Sequence, residues 1–346
     1  MVDQITLLKP DDWHLHFRDG NLLNETVAAT ARQFQRAIVM PNLVPPVTDA
    51  VAANAYRERI KAARPENNDF EPLMTLYLTN DTTPKIIHEA VTQNITAAKL
   101  YPSGATTNSD SAVDGIQSLY PVFETMSDVG MPLLIHGEVT DHEIDIFDRE
   151  AMFIEIYLND IVRQFPELKV VFEHITTKDA VDFVMSVSKN LAATITPQHL
   201  LLNRNDILVG GIKPHNYCLP VLKRNTHQKA LRIAATSGSA KFFLGTDSAP
   251  HAQHLKESAC GCAGCYSAHS ALELYATVFD EMNALDKLEG FASHFGADFY
   301  GLPRNTETVI MKNEPWNIPE SISLANGEKL IPFLAGTKID WKLQSI

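Results

Sequence analysis

Cysteine is scarce. The chain has 4 among 346 residues, too few for a disulfide framework at this length and in keeping with thiols that stay reduced. Basic runs are missing as well: 29 Lys and Arg stand against 42 Asp and Glu, a net charge of -13, and no Lys/Arg-rich segment could track a phosphate backbone. Nucleic acid is therefore not an expected partner. No window approaches the roughly 20 consecutive apolar residues of a membrane span. The charges at Asp3 and Lys9 leave no apolar core for a signal peptide near the first residues, so a cytoplasmic protein without a membrane partner is expected. Nor is there a Pro/Ser-rich linker or a shift in composition, and one domain over 1–346 is expected.

What the chain does have is 45% hydrophobic residues, enough for a large core, in short β-rich runs that each close on a polar residue. The first is Ile5-Thr6-Leu7-Leu8, and others lie at 37–40, 73–78, 95–98, 132–135, 170–173, 191–195 and 242–246. Stretches with apolar residues at helical spacing lie between many of them, at 24–35, 84–93, 115–129, 178–187 and 227–236. Near-continuous apolar strands alternating with helices imply a parallel sheet covered on both faces. Eight such units predict a closed (β/α)8 TIM barrel, with the tail after Leu302 as a short irregular appendage.

In such a barrel the chemistry lies at the C-terminal ends of the strands. Those ends carry His14 and His16, Lys99, His136, His174 and Asp247. One strand-end histidine is usually a hydrogen-bonded structural residue. An H-x-H pair on a strand, however, projects both imidazoles to one side, where leaving them unpaired is costly. Four histidines, a carboxylate and a lysine on one rim favour a metal centre, and this ligand chemistry suits Zn²⁺. Lys99 fits poorly as an ammonium. It could be a solvent-facing lysine or a Schiff-base lysine, but beside the histidines the consistent chemistry is carbamylation by CO₂, giving a carboxylate that bridges two metals.

The motifs W-H-L-H-F-R-D-G, V-M-P-N-L, A-A-K-L-Y-P-S-G-A-T-T-N-S, L-L-I-H-G-E, F-E-H-I-T-T, K-P-H-N-Y-C-L-P and L-G-T-D-S-A-P-H occur in that order along the chain. In this the chain resembles the metal-dependent amidohydrolase superfamily and, within it, the short bacterial-type dihydroorotase family. The resemblance implies reversible cyclisation of N-carbamoyl-L-aspartate to L-dihydroorotate in pyrimidine biosynthesis, by a homodimer acting on a small-molecule substrate. It implies two Zn²⁺ per chain, with His14, His16 and Asp247 on one, His136 and His174 on the other, and carbamylated Lys99 (N6-carboxylysine) on both. Asp247 would also be the general base. Arg18, Asn42 and His251 match positions that hold the substrate carboxylate, and Leu219 and Ala263 match positions whose backbone contacts the ring. Thr106 and Thr107 fall on a loop that is mobile in the family; Ser103-Gly104 departs there from the family's common Ala-Asn.

Blander roles remain open for some of these residues. Arg18 could form a rim salt bridge, Asn42 could be a turn residue after Pro41, and the segment 103–109 could be an ordinary surface loop. The cluster Cys260-Gly261-Cys262-Ala263-Gly264-Cys265 has no evident fourth zinc ligand and an uncommon spacing, so no structural zinc is expected there. Two other functions share the metal cage: a hydantoinase-like cyclic amidohydrolase, and an inactive paralogue serving as a scaffold. Arg18, Asn42 and His251 argue against the first because they demand a ring carboxylate, and the complete ligand set argues against the second.

Overall fold

The computed structural model describes residues 2–344 apart from 110, 112, 114, 188 and 260. Thirteen strands are described: β1 Gln4–Leu8, β2 Asp11–Leu15, β3 Arg36–Val39, β4 Glu71–Tyr77, β5 Ala97–Leu100, β6 Leu133–Ile135, β7 Val170–Phe172, β8 Leu191–Ile195, β9 Phe242–Leu244, β10 Thr308–Asn317, β11 Ile322–Ser323, β12 Lys329–Leu330 and β13 Lys338–Leu343. Strands β2 to β9 form one eight-stranded parallel sheet in chain order. A parallel bridge from Leu15 to Ser248, with Asp247 N donating to His14 O at 2.7 Å, brings the last strand back to the first. This is the expected (β/α)8 barrel.

The barrel's first strand is not the one the hydropathy suggests. The apolar run at 5–8 lies in β1, which pairs antiparallel with β10 outside the barrel, and β2 is Asp-Asp-Trp-His-Leu. Its polar side chains escape an apolar-run search because the protein itself satisfies them. The Asp12 carboxylate accepts from Thr246 N at 2.9 Å and Thr246 Oγ1 at 2.6 Å, and that of Asp11 accepts from Arg36.

The tail is also more regular than expected. β10 pairs with β1 and β13, and this sheet packs on the helix Ala271–Glu281, where Trp341 Nε1 donates to Asp280 at 3.1 Å. The β11–β12 hairpin reaches back to the loops after β9 through Ala252–Leu330 and Tyr266–Pro332 bridges.

Alternation along the strands decides what faces inward. Ala98, Leu100, Leu133, Ile135, Val170, Phe172, Phe242 and Leu244 pack outward under the helices, while Ala97, Leu134, Val171, Ala192 and Phe243 fill the interior. The interior plug ends on Trp13, whose ring stacks on Tyr300 at 4.6 Å between centroids. Only glycine allows this approach at 296, since an added Cβ would lie 2.0 Å from Trp13 Nε1. The same alternation puts Lys99, two residues beyond Ala97, and His136, two beyond Leu134, on the interior face above the plug.

Candidate active site

Above that apolar floor the strand ends supply polar side chains. His14 lies in β2 and His16 just after it; the register of β2 against β3 shifts between Asp12 and Leu15, which sends Leu15 outward between the two imidazoles. Lys99 lies within β5, His136 directly follows β6, His174 follows β7 and Asp247 follows β9. All six are buried, Lys99 completely. Their backbone carries strain where the chain leaves the barrel, with φ of +40° at His174, +45° at Asp247 and +63° at Arg18. Non-glycine residues adopt such angles at a cost, and they gather at functional sites.

The four imidazoles form a continuous arc. Ring centroids are 5.5 Å apart for His16 and His14, 4.9 Å for His14 and His174, and 4.8 Å for His174 and His136. Donor atoms of His14, His16 and Asp247 all lie within 4.8 Å of one another, close enough to share one ion, and Asp247 Oδ1 is 3.1 Å from His16 Nε2. His136 and His174 stand at the far end of the arc, outside that group of three.

The chemistry of the donor set fits a metal. Burial lowers the pKa of His14 and pushes those of His16 and His174 well down, holding all three as neutral imidazoles, the form that ligates. His174 Nδ1 and Lys99 Nζ have no hydrogen-bond partner among the described residues despite their burial. Burial brings Lys99 down to about 8, so a neutral, nucleophilic amine is accessible, as carbamylation requires. Burial also raises the Asp247 carboxyl, an unfavourable place for an anion without a cation beside it.

Three carboxylates behind the histidines were not singled out from the sequence. Glu138 Oε2 lies 2.9 Å from His136 Nε2, fixing that nitrogen. Burial opposes ionisation of Glu138, but the His136 hydrogen bond and Lys223 outweigh it, and its pKa is lowered. Glu173 Oε2 lies 2.9 Å from His14 Nδ1, at ion-pair distance though poorly aligned for a hydrogen bond, and accepts from Thr194 Oγ1 at 2.6 Å. Asp12 ties β2 to the segment after β9 through Thr246. Glu138 and Glu173 stand two residues after and one before a metal-type histidine, in H-G-E and E-H, the one sequence signal that could have found them.

The expected substrate residues form a second group beside the arc. Arg18 Nη2 is 3.1 Å from His251 Nε2, which lies 3.0 Å from Ala263 O; Arg18 Nε and Nη1 have no partner among the described residues. Among the described residues no carboxylate pairs with this guanidinium, so none of them forms the rim salt bridge with it. Asn42 is more than a turn residue: Oδ1 accepts from or meets His16 Nδ1 at 2.8 Å, and Nδ2 donates to Thr107 O at 3.0 Å. Thr107 Oγ1 donates to Ala263 O at 3.4 Å, so the loop at 103–109 lies across the barrel mouth. Thr106 is held inside the loop through Ser109, and Leu219 precedes a cis peptide to Pro220 in the loop after β8. In the cysteine cluster Cys262 and Cys265 are free thiols, and Cys260 lies outside the described residues.

Comparison with known proteins agrees with this geometry. The amidohydrolase family model matches residues 11–314. A dihydroorotase of Shewanella sediminis is 70% identical over 344 residues, covering 99% of this chain and all of the relative. The chain belongs to the amidohydrolase family and, within it, to the dihydroorotases. A crystal structure of dihydroorotase from Saccharomyces cerevisiae in complex with 5-fluoroorotic acid superposes with a TM-score of 0.91 at 36% identity, over 99% of each chain. An L-hydantoinase from Arthrobacter aurescens shares the fold, with a TM-score of 0.80 at 15% identity over 98% of this chain and 82% of that one.

Proposed function

We propose that this dihydroorotase works through a two-zinc centre, with His14, His16 and Asp247 at one ion, His136 and His174 at the other, and carbamylated Lys99 at both. The observation that carries the proposal is the convergence of four buried imidazoles on a buried lysine whose ammonium has no hydrogen-bond partner among the described residues. When bound, the metals would polarise the ring carbonyl and acidify the attacking water.

The chain's own residues supply the rest. Asp247 Oδ1, held 3.1 Å from His16 Nε2, takes a proton from the attacking water and returns it to the ring nitrogen that leaves. Arg18 binds the substrate carboxylate through one fork of its guanidinium, and His251 beside it completes the cradle. Asn42 joins the two halves of the site: it fixes the His16 ring and tethers Thr107. Ala263 and Leu219 offer backbone groups to the ring. Thr106 and Thr107 close over it and exclude water, as lids do.

The substrate pair is N-carbamoyl-L-aspartate and L-dihydroorotate. A hydantoin without a carboxylate would bring no anion to the Arg18 guanidinium, and the likeness to the hydantoinase extends to the fold alone. One 1–346 domain, a homodimer and a cytoplasmic location complete the proposal; the free thiols of Cys218, Cys262 and Cys265 suit a reducing compartment. Turnover of dihydroorotate by protein of measured zinc content, with no turnover of plain hydantoins, supports this reading, and equal turnover of both refutes it.

A further inference from the structure

Lys256 is the last residue of the short helix Gln253–Lys256 in the loop after β9, and only 3% of it is exposed. Among the described residues no carboxylate pairs with it. Its ammonium donates instead to three backbone carbonyls, those of Tyr217 at 2.8 Å, Cys262 at 2.8 Å and Gly264 at 2.7 Å. Three donors with three acceptors leave the buried cation satisfied, which a neutral side chain of the same length could not reproduce.

The acceptors are what give this residue its use. Cys262 and Gly264 flank Ala263, and their carbonyls face the ammonium. The Ala263 carbonyl faces His251 Nε2 at 3.0 Å and Thr107 Oγ1 at 3.4 Å, in the substrate group. Pinning the carbonyl on either side therefore fixes the direction of the one between. The third acceptor, Tyr217, lies two residues before Leu219 in the loop after β8. It is joined to the same segment again by Gly264 N donating to Tyr217 O at 3.0 Å. Gly264 has φ +142°, and an added Cβ there would lie 2.5 Å from Ala249 O, so the segment passes too close to its neighbour to settle elsewhere.

We infer that Lys256 is a positioning residue for substrate binding: one ammonium aims the Ala263 backbone into the site and fixes its distance from the loop that carries Leu219. The inference rests on the dihydroorotase reading above and adds the part that sets ring recognition. The charge reaches the carboxylate cradle too. After burial itself and Arg18, Lys256 is the next influence pushing the His251 imidazole toward its neutral form.

The test is Lys256→Met, which keeps the stem and removes the donors, with Lys256→Arg, which keeps the charge but cannot point three donors as a tripod. KM for dihydroorotate should rise and kcat/KM fall roughly 10- to 100-fold in Lys256→Met, the scale of a misplaced binding group. Metal content should stay at the wild-type level, and kcat should fall less than KM rises. Lys256→Arg should fall between the two. Thr107→Ala should then cost less in the Lys256→Met background than in the wild type, because both act through the Ala263 carbonyl. A purely structural lysine would leave the two effects independent. Unchanged KM in a folded Lys256→Met, or full additivity with Thr107→Ala, overturns the inference; if Lys256→Met does not fold, wild-type KM in Lys256→Arg does so. Wild-type protein that fails to turn over dihydroorotate would instead overturn the dihydroorotase reading on which the inference rests.

Discussion

Replacing Arg18 with Met separates substrate binding from both metal binding and folding. The residue is half-buried with its Nε and Nη1 enclosed, and burial lowers the pKa of its guanidinium. It makes one described side-chain contact, to His251 at 3.1 Å, while Nε and Nη1 await a partner. In the substrate complex one fork of the guanidinium, Nη2 with either Nε or Nη1, would make two charge-assisted hydrogen bonds to the carboxylate, worth about 1.5–3 kcal/mol apiece. At about 1.4 kcal/mol per factor of ten, losing both lowers kcat/KM for dihydroorotate by about 10²–10⁴. Most of the change should appear in KM, since the carboxylate is held before and during the reaction. Without substrate the fold loses a half-buried cation that no carboxylate pairs with among the described residues, so thermal stability should be unchanged or slightly raised. The assay is ultraviolet detection of dihydroorotate hydrolysis on protein whose metal content and melting temperature are measured alongside. Metal lost in step with activity, or a melting temperature lowered by several degrees, would show that Arg18 supports the site rather than the substrate.

Lys99→Ala should lose metal and activity together, and added short carboxylic acids should restore part of both; full metal content with normal turnover would remove Lys99 from the centre. Asp247→Asn can still coordinate through its amide oxygen but cannot accept a proton, so kcat should fall by about 10²–10⁴ at retained metal, read by steady-state kinetics. His199 is buried between Thr196 Oγ1 and Pro220 O, and burial lowers its pKa to about 4 from 6.5. The unfolded chain binds that proton first as pH falls, so stability present above about pH 6.5 is lost toward pH 4, by about 3 kcal/mol from this group. Chemical denaturation across that range should show a shallower pH slope in His199→Gln than in the wild type.

The parallel barrel is legible in the sequence because its strands from β3 onward are short apolar runs with no polar face. The first strand is not, because Asp11 and Asp12 in β2 are satisfied by Arg36 and Thr246, partners remote in sequence, and His14 is turned into the site. The apolar run at 5–8 misleads for the converse reason: β1 packs in a small antiparallel sheet outside the barrel. The site residues stand out because histidine and lysine at strand ends need a chemical reason to be buried. Glu138 and Glu173 were in view within the same motifs, but their role depends on which ring nitrogen each meets, and spacing alone carries no such information. Lys256 has no sequence signal at all. Its three acceptors are backbone carbonyls, which every residue possesses, and only the fold brings residues 217, 262 and 264 around one ammonium.

The two-zinc centre is tested most directly by titrating metal-depleted protein with Zn²⁺ in the presence of bicarbonate while following dihydroorotate hydrolysis. Activity should rise until two ions are bound per chain, depend on the supply of CO₂, and disappear in Lys99→Ala at every zinc level where no carboxylic acid is added. Full turnover by metal-free protein, or saturation at a single ion with Lys99→Ala unimpaired, would contradict it.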